Sequence, residues 1–445
     1  MPDTRYDEDG VQRCARLMIN ADLTDEREDL LALAHGLTGV RPELAPAIAP
    51  EVDRLDRAVA RAGTTLPDDA LETFARALRA IWLRAVAVET STILRSPTEP
   101  ETERIAQRHD SYGYERDFHP IELERRLAEN ERAANGQSAH VVLFSSAQAA
   151  LTTLLLTLQA ERLRDIALLG SYFETRDLIA NHASLRSALV DESCAAEIMI
   201  VEPVACDGQF MVYDMPLFAS RLAKAQGAPT IIADTTLTGH LDRLGPLREA
   251  QGQGQLIKLV SGLKLMQAGL ELANVGVVTL YRDWGAHHAE ALRKTRTLIG
   301  AGLRFSDALA LEAPFFVDGQ YAARYGEAIF ANNAELARVA SEHNRRFEQI
   351  DHPSFYGAAV PYCVFRLRDG ENGIDALGET IAAEAKRREL AFDRGGSFGF
   401  RGHRFDVVKP ENGDPAFLRV AMGRRGGTNK DAVIALMADI MADNI

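Results

Sequence analysis

Lys264 is the residue of this sequence whose chemistry and position together could support covalent catalysis. It follows a mostly apolar run, Leu256–Val260, and a small polar turn that begins at Ser261. The chain has seven lysines among its 50 basic residues, so each one can be weighed as a candidate. A neutral lysine amine forms a Schiff base with a carbonyl compound and can act as a base. Most lysines at strand ends are surface residues, and the hypothesis therefore depends on what the other strand ends carry.

A turn that suits an anion follows the apolar run His140–Phe144. Ser146, Ala147 and Gln148 open the helix that comes next. The first backbone N–H groups of a helix have no partner within the helix and lie at its positive end, so they bind phosphate well. Serine is also a common helix cap in the absence of any ligand. The turn predicts a phosphate site only in combination with other residues.

An aromatic residue and a carboxylate end two further apolar runs. Tyr172 comes soon after Ile166–Leu169 and could lie flat on a bound ring, although a core or rim tyrosine is the more common case. Asp234 follows Thr230–Ala233, where a carboxylate is costly unless a cation, such as a protonated pyridine nitrogen, pairs with it. A helix cap or a metal ligand is the alternative for Asp234, but no second carboxylate cluster supports a metal.

Short apolar runs alternate with helical segments between residues 140 and 280. This alternation is typical of an α/β domain with a largely parallel sheet. In such sheets, ligands bind at the carboxyl ends of the strands. The phosphate turn, the aromatic residue, the aspartate and the lysine are therefore expected to meet at one edge of the sheet.

Three regions are predicted along the chain. Residues 1–110 are expected to form a helical extension, residues 111–300 the large ligand-binding α/β domain, and residues 301–445 a smaller α+β domain. The extension carries no catalytic set of residues. A purely structural role is expected for it, with a cap, a dimerisation element or a lid as alternatives. Within the smaller domain, the Gly- and Arg-rich stretch Arg394–Arg404 is predicted to be a loop.

Composition and charge exclude several classes of function. The 445-residue chain has 46% hydrophobic and 26% charged residues, as is usual for a soluble globular protein, and a net charge of -14. Such an acidic chain is not expected to bind nucleic acid or anionic membranes nonspecifically. Four scattered cysteines and a charged N-terminus predict a reduced, cytoplasmic protein without a zinc site or a signal peptide. The uncharged stretch 141–160 is predicted to be a buried strand, turn and helix, not a membrane span.

Taken in order, these residues resemble the motifs of fold type I enzymes that depend on pyridoxal 5'-phosphate (PLP). Within that class, the sequence is most similar to the Cys/Met-metabolism family, the group of cystathionine γ-synthase and γ-lyase, over residues 111–430. The similarity is carried by these segments: Tyr114-Glu115-Arg116, Ser146-Ala147-Gln148, Tyr172-Phe173-Glu174-Thr175, Asp234-Thr235-Thr236, Ser261-Gly262-Leu263-Lys264, Ser397-Phe398-Gly399 and Leu418-Arg419-Val420-Ala421-Met422-Gly423. The resemblance implies an aspartate-aminotransferase-like large domain.

The resemblance also implies a role for each of the matched residues. Lys264 would bind PLP as a Schiff base, Asp234 would pair with the ring nitrogen, and Tyr172 would stack on the ring. Arg419 would bind the α-carboxylate of an amino-acid substrate, with Ser397 beside it. The remaining cofactor contacts implied are Ser146, Ala147, Gln148, Ser261 and Thr236, and, from the neighbouring subunit, Tyr114 and Arg116. A homodimer or a dimer of dimers is therefore implied.

The reaction implied is γ-elimination or γ-replacement on an amino acid. After an external aldimine forms, the freed Lys264 amine would deprotonate Cα, and a second proton loss would give a vinylglycine-type intermediate. The leaving group could be an acyl ester, a thiol or a sulfonium such as that of S-adenosylmethionine. The residues themselves support only chemistry at Cα, so an aminotransferase, a β-eliminase and a C–C bond-forming enzyme remain open. A non-catalytic PLP-fold binding protein is the further alternative.

The sequence also departs from the family pattern. Leu263 stands where the family has a hydroxyl residue, Ala147 and Gln148 replace Gly-Met, and Leu270 replaces a histidine. These changes indicate a specialised enzyme, for example one of secondary metabolism.

One basic segment has no role assigned by the resemblance. Arg401, His403 and Arg404 form a basic cluster close to the implied carboxylate site. They could bind an anionic or nucleotide-bearing substrate, although a solvated loop is the favoured interpretation.

Overall fold

A computed structural model of the chain provides the coordinates. It describes residues 26–62, 68–91, 93–96, 114–160, 162–170, 172–188, 196–206, 210–222, 229–239, 244–250, 255–356, 358–368, 373–410 and 415–443.

The centre of the molecule is a six-stranded sheet. Its strands are β1 (Ala139–Phe144), β2 (Ile166–Leu169), β3 (Ile198–Val201), β6 (Thr230–Asp234), β7 (Gln255–Ser261) and β8 (Gly276–Tyr281). They lie in the order β1-β8-β7-β6-β3-β2, and β8 alone runs against the others. The predicted, largely parallel sheet is thus confirmed. Because five strands share one direction, their carboxyl ends meet at the same edge of the sheet.

One helix precedes β1, and the other helices of this region follow the strands. They are α4 (Ile121–Asn135), α5 (Ala147–Leu158), α6 (Phe173–Asn181), α7 (Ala183–Ala188), α8 (Met215–Leu222), α9 (Gly245–Ala250) and α10 (Arg282–Ile299). A short hairpin of β4 (Val204–Cys206) and β5 (Phe210–Val212) follows β3. The uncharged stretch 141–160 is β1 and α5, as predicted. Both pack into one apolar core with β8 and α10. No described helix is both long enough and apolar enough to cross a membrane.

The described part of the N-terminal extension consists of α1 (Glu26–Val40), α2 (Ala45–Ala62) and α3 (Asp68–Thr90). Helix α3 buries Leu71, Phe74, Leu78 and Trp82, the helical spacing that the sequence shows. These helices share a single apolar core with one face of the large sheet and with α11 (Phe305–Ala310). The Trp82 indole nitrogen donates a hydrogen bond to the Ala310 carbonyl oxygen at 2.8 Å. The predicted domain boundaries at residues 110 and 300 stay a prediction.

The C-terminal region is built on a second sheet. Its strands are β9 (Phe347–Asp351), β10 (Cys363–Leu367), β11 (Phe392–Arg394), β12 (His403–Val408) and β13 (Phe417–Ala421). They lie in the order β11-β12-β13-β10-β9, and helices α12 (Gly319–His343), α13 (Ile374–Arg387) and α14 (Thr428–Met441) pack against them. The predicted loop Arg394–Arg404 is only partly correct, because β11 ends and β12 begins within it. Apolar residues on these strands, such as Phe392 and Phe405, are buried between sheet and helices.

Candidate active site

A cavity of about 470 Å³ opens at the carboxyl edge of the large sheet, where the C-terminal region meets it. Residues from five strand ends and from the C-terminal sheet line it. Of the residues predicted from sequence, those in its wall are Ser146, Ala147, Gln148, Tyr172, Asp234, Thr236, Ser261, Lys264, Ser397 and Arg419. The structure therefore brings together every predicted site residue of the chain except Tyr114 and Arg116.

Lys264 projects into this cavity from the turn after β7. Its Nζ donates a hydrogen bond to the Ser397 hydroxyl at 2.5 Å and lies 5.6 Å from the centroid of the Phe398 ring. Burial lowers the pKa of the amine below its ordinary value; the charge of Glu271 opposes this shift and that of Arg419 adds to it. A lowered pKa increases the fraction of neutral amine, the form that acts as nucleophile and base.

The segment that follows Lys264 is held by one buried glutamine. The Gln267 amide donates to the Gly262 and Ala273 carbonyl oxygens and accepts from the backbone of Leu272 and Ala273, at 2.6–3.1 Å. All of its hydrogen-bonding positions towards this loop are thus used, and the loop closes on itself. Sequence reasoning missed Gln267, because a lone glutamine in a loop gives no signal of burial.

Ser397 is held in a conformation that few non-glycine residues adopt. Its φ is 73°, and Gly399 two residues later has a φ of 85°. A Cβ atom on Gly399 would lie 2.4 Å from the Lys264 carbonyl oxygen, so only glycine allows these two segments to meet. The predicted Ser-Phe-Gly element therefore contacts Lys264 through both its side chain and its backbone.

Asp234 lies at the end of β6 and is linked to the turn that carries Lys264. Its carboxylate accepts from the Thr236 backbone N–H at 2.9 Å, and the Thr236 hydroxyl accepts from the Ser261 N–H at 2.9 Å. Burial raises the pKa of Asp234, and the hydrogen bonds from Thr236 only partly offset this. Within the described residues, no cation contributes to the pKa of Asp234, so its charge lacks a counterion on the protein side.

Tyr172 stands at the start of α6, at the mouth of the cavity. The Glu202 carboxylate, which follows β3, accepts a hydrogen bond from the Tyr172 backbone N–H at 3.0 Å. Burial raises the pKa of the Tyr172 phenol, and the nearby Glu174 raises it further. The phenol is therefore neutral at physiological pH. Sequence reasoning missed Glu202, although its place directly after a buried strand is the same signal that identified Asp234.

The predicted phosphate turn opens α5 at the same edge. The Ser146 hydroxyl caps the helix by accepting from the Ala149 N–H at 3.0 Å. A Cβ atom on Gly276 of β8 would lie 2.2 Å from the Ser146 carbonyl oxygen, so the glycine lets the turn sit close against the sheet. The N–H groups of Ala147 and Gln148 lie at the positive end of the helix, and both residues line the cavity.

Arg419 enters the cavity from β13. One Nη donates to the Asp406 carboxylate at 3.1 Å, and the guanidinium carbon lies 5.7 Å from the centroid of the Tyr362 ring. Its buried Nε has no hydrogen-bond partner within the described residues. An arginine held in this way can still donate to a carboxylate in the cavity.

These groups fit PLP, the cofactor that the resemblance implies. The helix start at Ala147 suits its phosphate, the unpaired carboxylate of Asp234 suits a protonated ring nitrogen, and the amine of Lys264 suits its carbonyl carbon. Among the described residues, no group of three or more His, Cys, Asp or Glu side chains is arranged to hold a metal ion.

Tyr114 and Arg116 do not line the cavity of their own chain. Tyr114 is 42% exposed, and the Arg116 guanidinium lies 5.4 Å from the centre of its ring. Their implied role in a neighbouring subunit stays a prediction.

The basic cluster Arg401, His403 and Arg404 is not a solvated loop, and that interpretation is wrong for its first two members. Arg401 is 2% exposed and His403 is 1% exposed. Arg401 binds carboxylates from α1, while the His403 Nδ1 accepts from the Gly423 N–H at 3.0 Å. Arg404 lies 3.5 Å from the centroid of the Phe400 ring. None of the three lines the cavity among its described residues.

Comparison with solved structures identifies the fold. The chain is similar to apo CalE6, a methionine γ-lyase from Micromonospora echinospora, with a TM-score of 0.53 and 17% identity over 74% of this chain and 88% of that one. It is also similar to cystathionine γ-lyase from yeast, with a TM-score of 0.55 and 15% identity over 75% and 88% of the two chains. A third similar structure is cystathionine γ-lyase from Lactobacillus plantarum complexed with L-serine, with a TM-score of 0.55 and 15% identity over 79% and 93%. No protein-family model and no curated protein sequence matches the chain.

The predicted fold class is thereby confirmed: the chain has the fold of the methionine and cystathionine γ-lyases. Identities this low concern the architecture, and a fold does not by itself define a reaction. The reaction has to be argued from the cavity.

Proposed function

We propose that the protein is a PLP-dependent enzyme that acts on an α-amino acid by γ-elimination or γ-replacement. The observation that supports this most strongly is that the Lys264 amine and the Asp234 carboxylate line the same cavity without forming an ion pair with each other. Among the described residues, the Asp234 carboxylate has no counterion. A structural lysine and a structural aspartate would be expected to pair with each other or with other side chains.

The cofactor, when bound, supplies an electron sink for the carbanion formed at the substrate Cα. Asp234 contributes by holding a proton on the ring nitrogen, and the raised pKa of its carboxyl group means that a counterion is needed to keep it ionised. Tyr172, at the mouth of the cavity, would stack on the ring. The backbone N–H groups of Ala147 and Gln148 would hold the phosphate.

Lys264 removes the proton from the substrate Cα in this proposal. Its lowered pKa makes the neutral amine available closer to neutral pH than for an ordinary lysine. The Ser397 hydroxyl, 2.5 Å from Nζ, orients the amine. In γ-chemistry the same amine would also take part in the second proton loss, at Cβ.

Arg419 binds the α-carboxylate of the substrate. Asp406 accepts a hydrogen bond from one Nη group and helps to fix the guanidinium plane. The Nε–H has no partner among the described residues and can donate to a substrate. Two parallel N–H···O bonds would fix the orientation of the substrate as well as its affinity.

The γ-chemistry is supported by the likeness of the fold to the methionine and cystathionine γ-lyases. Elimination would make the enzyme a lyase and replacement a transferase. An acyl ester, a thiol or a sulfonium such as that of S-adenosylmethionine is the proposed leaving group. We further propose a specialised, cytoplasmic enzyme of secondary metabolism that acts as a homodimer or a dimer of dimers. The exposure of Tyr114, away from its own cavity, supports a role of Tyr114 and Arg116 in trans.

Absorbance spectroscopy tests the cofactor assignment. Purified protein supplied with PLP should show an absorbance band near the visible edge, and Lys264→Ala should lose the Schiff-base band. Absence of any such band in the wild-type protein would overturn the proposal.

Deuterium exchange tests the reaction type. The protein is incubated in deuterated water with vinylglycine or an O-acyl homoserine. Label at Cβ supports γ-chemistry, whereas label at Cα alone counts against it.

A further inference from the structure

The N-terminal extension and the C-terminal region meet in a group of charged residues that the proposed mechanism does not use. We call it the extension–arginine cluster. Its members are Glu26 and Asp29 of α1, Glu72 of α3, and Arg401, Arg424 and Arg425 of the C-terminal region. Three carboxylates of the extension face three guanidinium groups of the C-terminal region. Glu72 also binds Arg76 of its own helix at 2.7 Å.

Arg401 links the acids of α1 to the loop that follows Lys264. Its Nη1 donates to Glu26 at 2.7 Å and its Nη2 to Asp29 at 2.6 Å. Its Nε donates to the backbone carbonyl oxygen of Ala268 at 2.9 Å. All three nitrogens of the guanidinium group are therefore engaged at the same time.

The carboxylates of Glu26 and Asp29 are buried, as the Arg401 guanidinium is, and each has several partners. Burial alone would raise the pKa of Glu26, but the charges of Arg401 and Arg424 outweigh it and lower the pKa, so Glu26 is ionised. Asp29 also accepts from the Tyr321 hydroxyl at 3.0 Å. Ions this deeply buried are tolerated only when every partner is present.

Arg401 joins the two segments that position the Lys264 amine. One is the segment of Ala268, four residues after Lys264, whose backbone has a φ of 53°. The other is the segment of Arg401 itself, which begins with Ser397 and includes Gly399, packed against the Lys264 carbonyl group. The Tyr325 hydroxyl, donating to the Gly399 carbonyl oxygen at 3.1 Å, joins the same packing.

Both segments contain residues with unfavourable positive φ angles, namely Ala268, Glu271 and Ser397. Such conformations persist only where surrounding contacts impose them. Arg401 holds the first segment through its hydrogen bond to the Ala268 carbonyl oxygen and is itself part of the second. Glu26 and Asp29 keep Arg401 in place.

We infer that Glu26 and Asp29 of the extension are positioning residues for the Lys264–Ser397 pair. They act through Arg401, and they touch neither substrate nor cofactor. Glu26 and Asp29 thus support a cavity whose lining begins more than a hundred residues later in the chain, at Ser146. This inference rests on the reactive role proposed for Lys264.

The test is a double-mutant cycle on the reactivity of Lys264 in the cofactor-free protein. Competitive acetylation by acetic anhydride near neutral pH is measured by mass spectrometry, with the exposed Lys409 as internal standard. Ser397→Ala should raise the acetylation rate of Lys264 about three- to tenfold, because it removes an acceptor that stabilises the ammonium form. Asp29→Asn should raise it by a similar factor. In the Asp29→Asn background, Ser397→Ala should add less than about twofold, since the hydroxyl is already displaced.

Trp82→Phe is the matched control, because it removes a buried hydrogen bond between the extension and Ala310 without touching Arg401. It should leave Lys264 reactivity unchanged, and Ser397→Ala should keep its full effect in that background. The inference is overturned if Asp29→Asn leaves reactivity unchanged, or if the effects of Asp29→Asn and Ser397→Ala multiply.

A second variant and a second measurement distinguish failure of the positioning role from failure of the proposed function. Should Asp29→Asn not fold, Glu26→Gln carries the same expectation and the same overturning results. A wild-type protein that gives no absorbance band with PLP overturns the proposed function. A wild-type protein that binds PLP but gives independent effects in the cycle overturns the positioning role alone.

Discussion

The two sides of the cavity are built in different ways. On the sheet side, Asp234 ends β6 and Ser146 follows β1, at the same edge of the sheet, and local hydrogen bonds orient them. On the C-terminal side, Ser397 depends on positive φ angles and on buried charges that come from α1. The first side is positioned by secondary structure and the second by long-range tertiary contacts. We therefore expect loss of a buried charge on the C-terminal side to destabilise the cofactor-free protein. Loss of the unpaired Asp234 carboxylate on the sheet side should stabilise it.

Removal of the central arginine should give the largest effect. Arg401→Met leaves Glu26 and Asp29 buried with too few counterions, so the free energy of unfolding should fall by about 3–5 kcal/mol. Urea denaturation of the cofactor-free protein measures the change. The control is Arg404→Met in the same segment, where loss of the contact with Phe400 should cost less than about 1 kcal/mol. Equal losses in the two variants would remove the distinction between the two sides.

His403, two residues after Arg401, should make the stability of the C-terminal side sensitive to acid. Burial, together with the charges of Arg425 and Lys430, lowers the pKa of His403 to about 3 against the opposing charge of Glu26. The unfolded chain binds a proton near pH 6.5, so stability is complete above that pH and falls as the pH drops towards 3. The slope from this residue should approach about 1.4 kcal/mol per pH unit.

Urea midpoints measured between neutral and acidic pH give that slope. In His403→Asn the slope should be smaller by this amount. His352, whose pKa burial lowers to about 4, contributes equally to both proteins and cancels in the comparison. Parallel pH profiles for the two proteins would show that His403 is not buried in neutral form.

A single methyl group tests how closely the two segments meet at Lys264. Gly399→Ala places a Cβ atom against the Lys264 carbonyl oxygen at a positive φ, and should cost about 1–3 kcal/mol. It should also weaken PLP binding, measured by titration of the absorbance band. Gly136→Ala is the control, because residue 136 also has a positive φ, 68°, while nothing lies within 4 Å of the added atom. Only a larger effect at residue 399 than at residue 136 supports the close contact.

The two sides also differ in how far sequence predicts them. A parallel strand ends at a definite residue, and the polar side chain that follows it must reach the shared edge. Asp234, Tyr172 and Lys264 could therefore be found from apolar runs alone. The partners of Arg401 could not, because Glu26 and Asp29 lie 375 and 372 residues away in the chain. In sequence, they are ordinary acidic residues of an amphipathic helix.

Gln267 and the buried state of His403 escaped prediction for a related reason. Neither residue belongs to a periodic pattern, and hydrogen-bond partners within a folded loop leave no trace in composition. A Gly- and Arg-rich stretch reads as a solvated loop unless counterions are known to be near. In the folded protein the acids of α1 bind Arg401, and β12 begins two residues later, at His403.

The smallest predicted effect has the opposite sign and concerns the sheet side. Burial raises the pKa of Asp234, so the native state binds a proton more tightly than the unfolded chain does. The stability contributed by this protonated group is complete below the ordinary pKa of about 3.8 and is lost as the pH rises through the raised value. At neutral pH the cofactor-free protein therefore bears the cost of an unpaired carboxylate. Asp234→Asn should remove this cost and raise the free energy of unfolding by about 1 kcal/mol, as urea denaturation would detect.

The same substitution should weaken PLP binding, because the protonated ring nitrogen loses its counterion. Asp406→Asn is the matched control: it replaces a carboxylate that already pairs with Arg419, so it should not stabilise the cofactor-free protein. A gain of stability in Asp234→Asn together with a loss of cofactor affinity would identify Asp234 as a residue retained for binding at the expense of stability. A loss of stability in Asp234→Asn would instead mean that the carboxylate already has a counterion within the protein. The sheet side would then depend on buried ion pairs as the C-terminal side does.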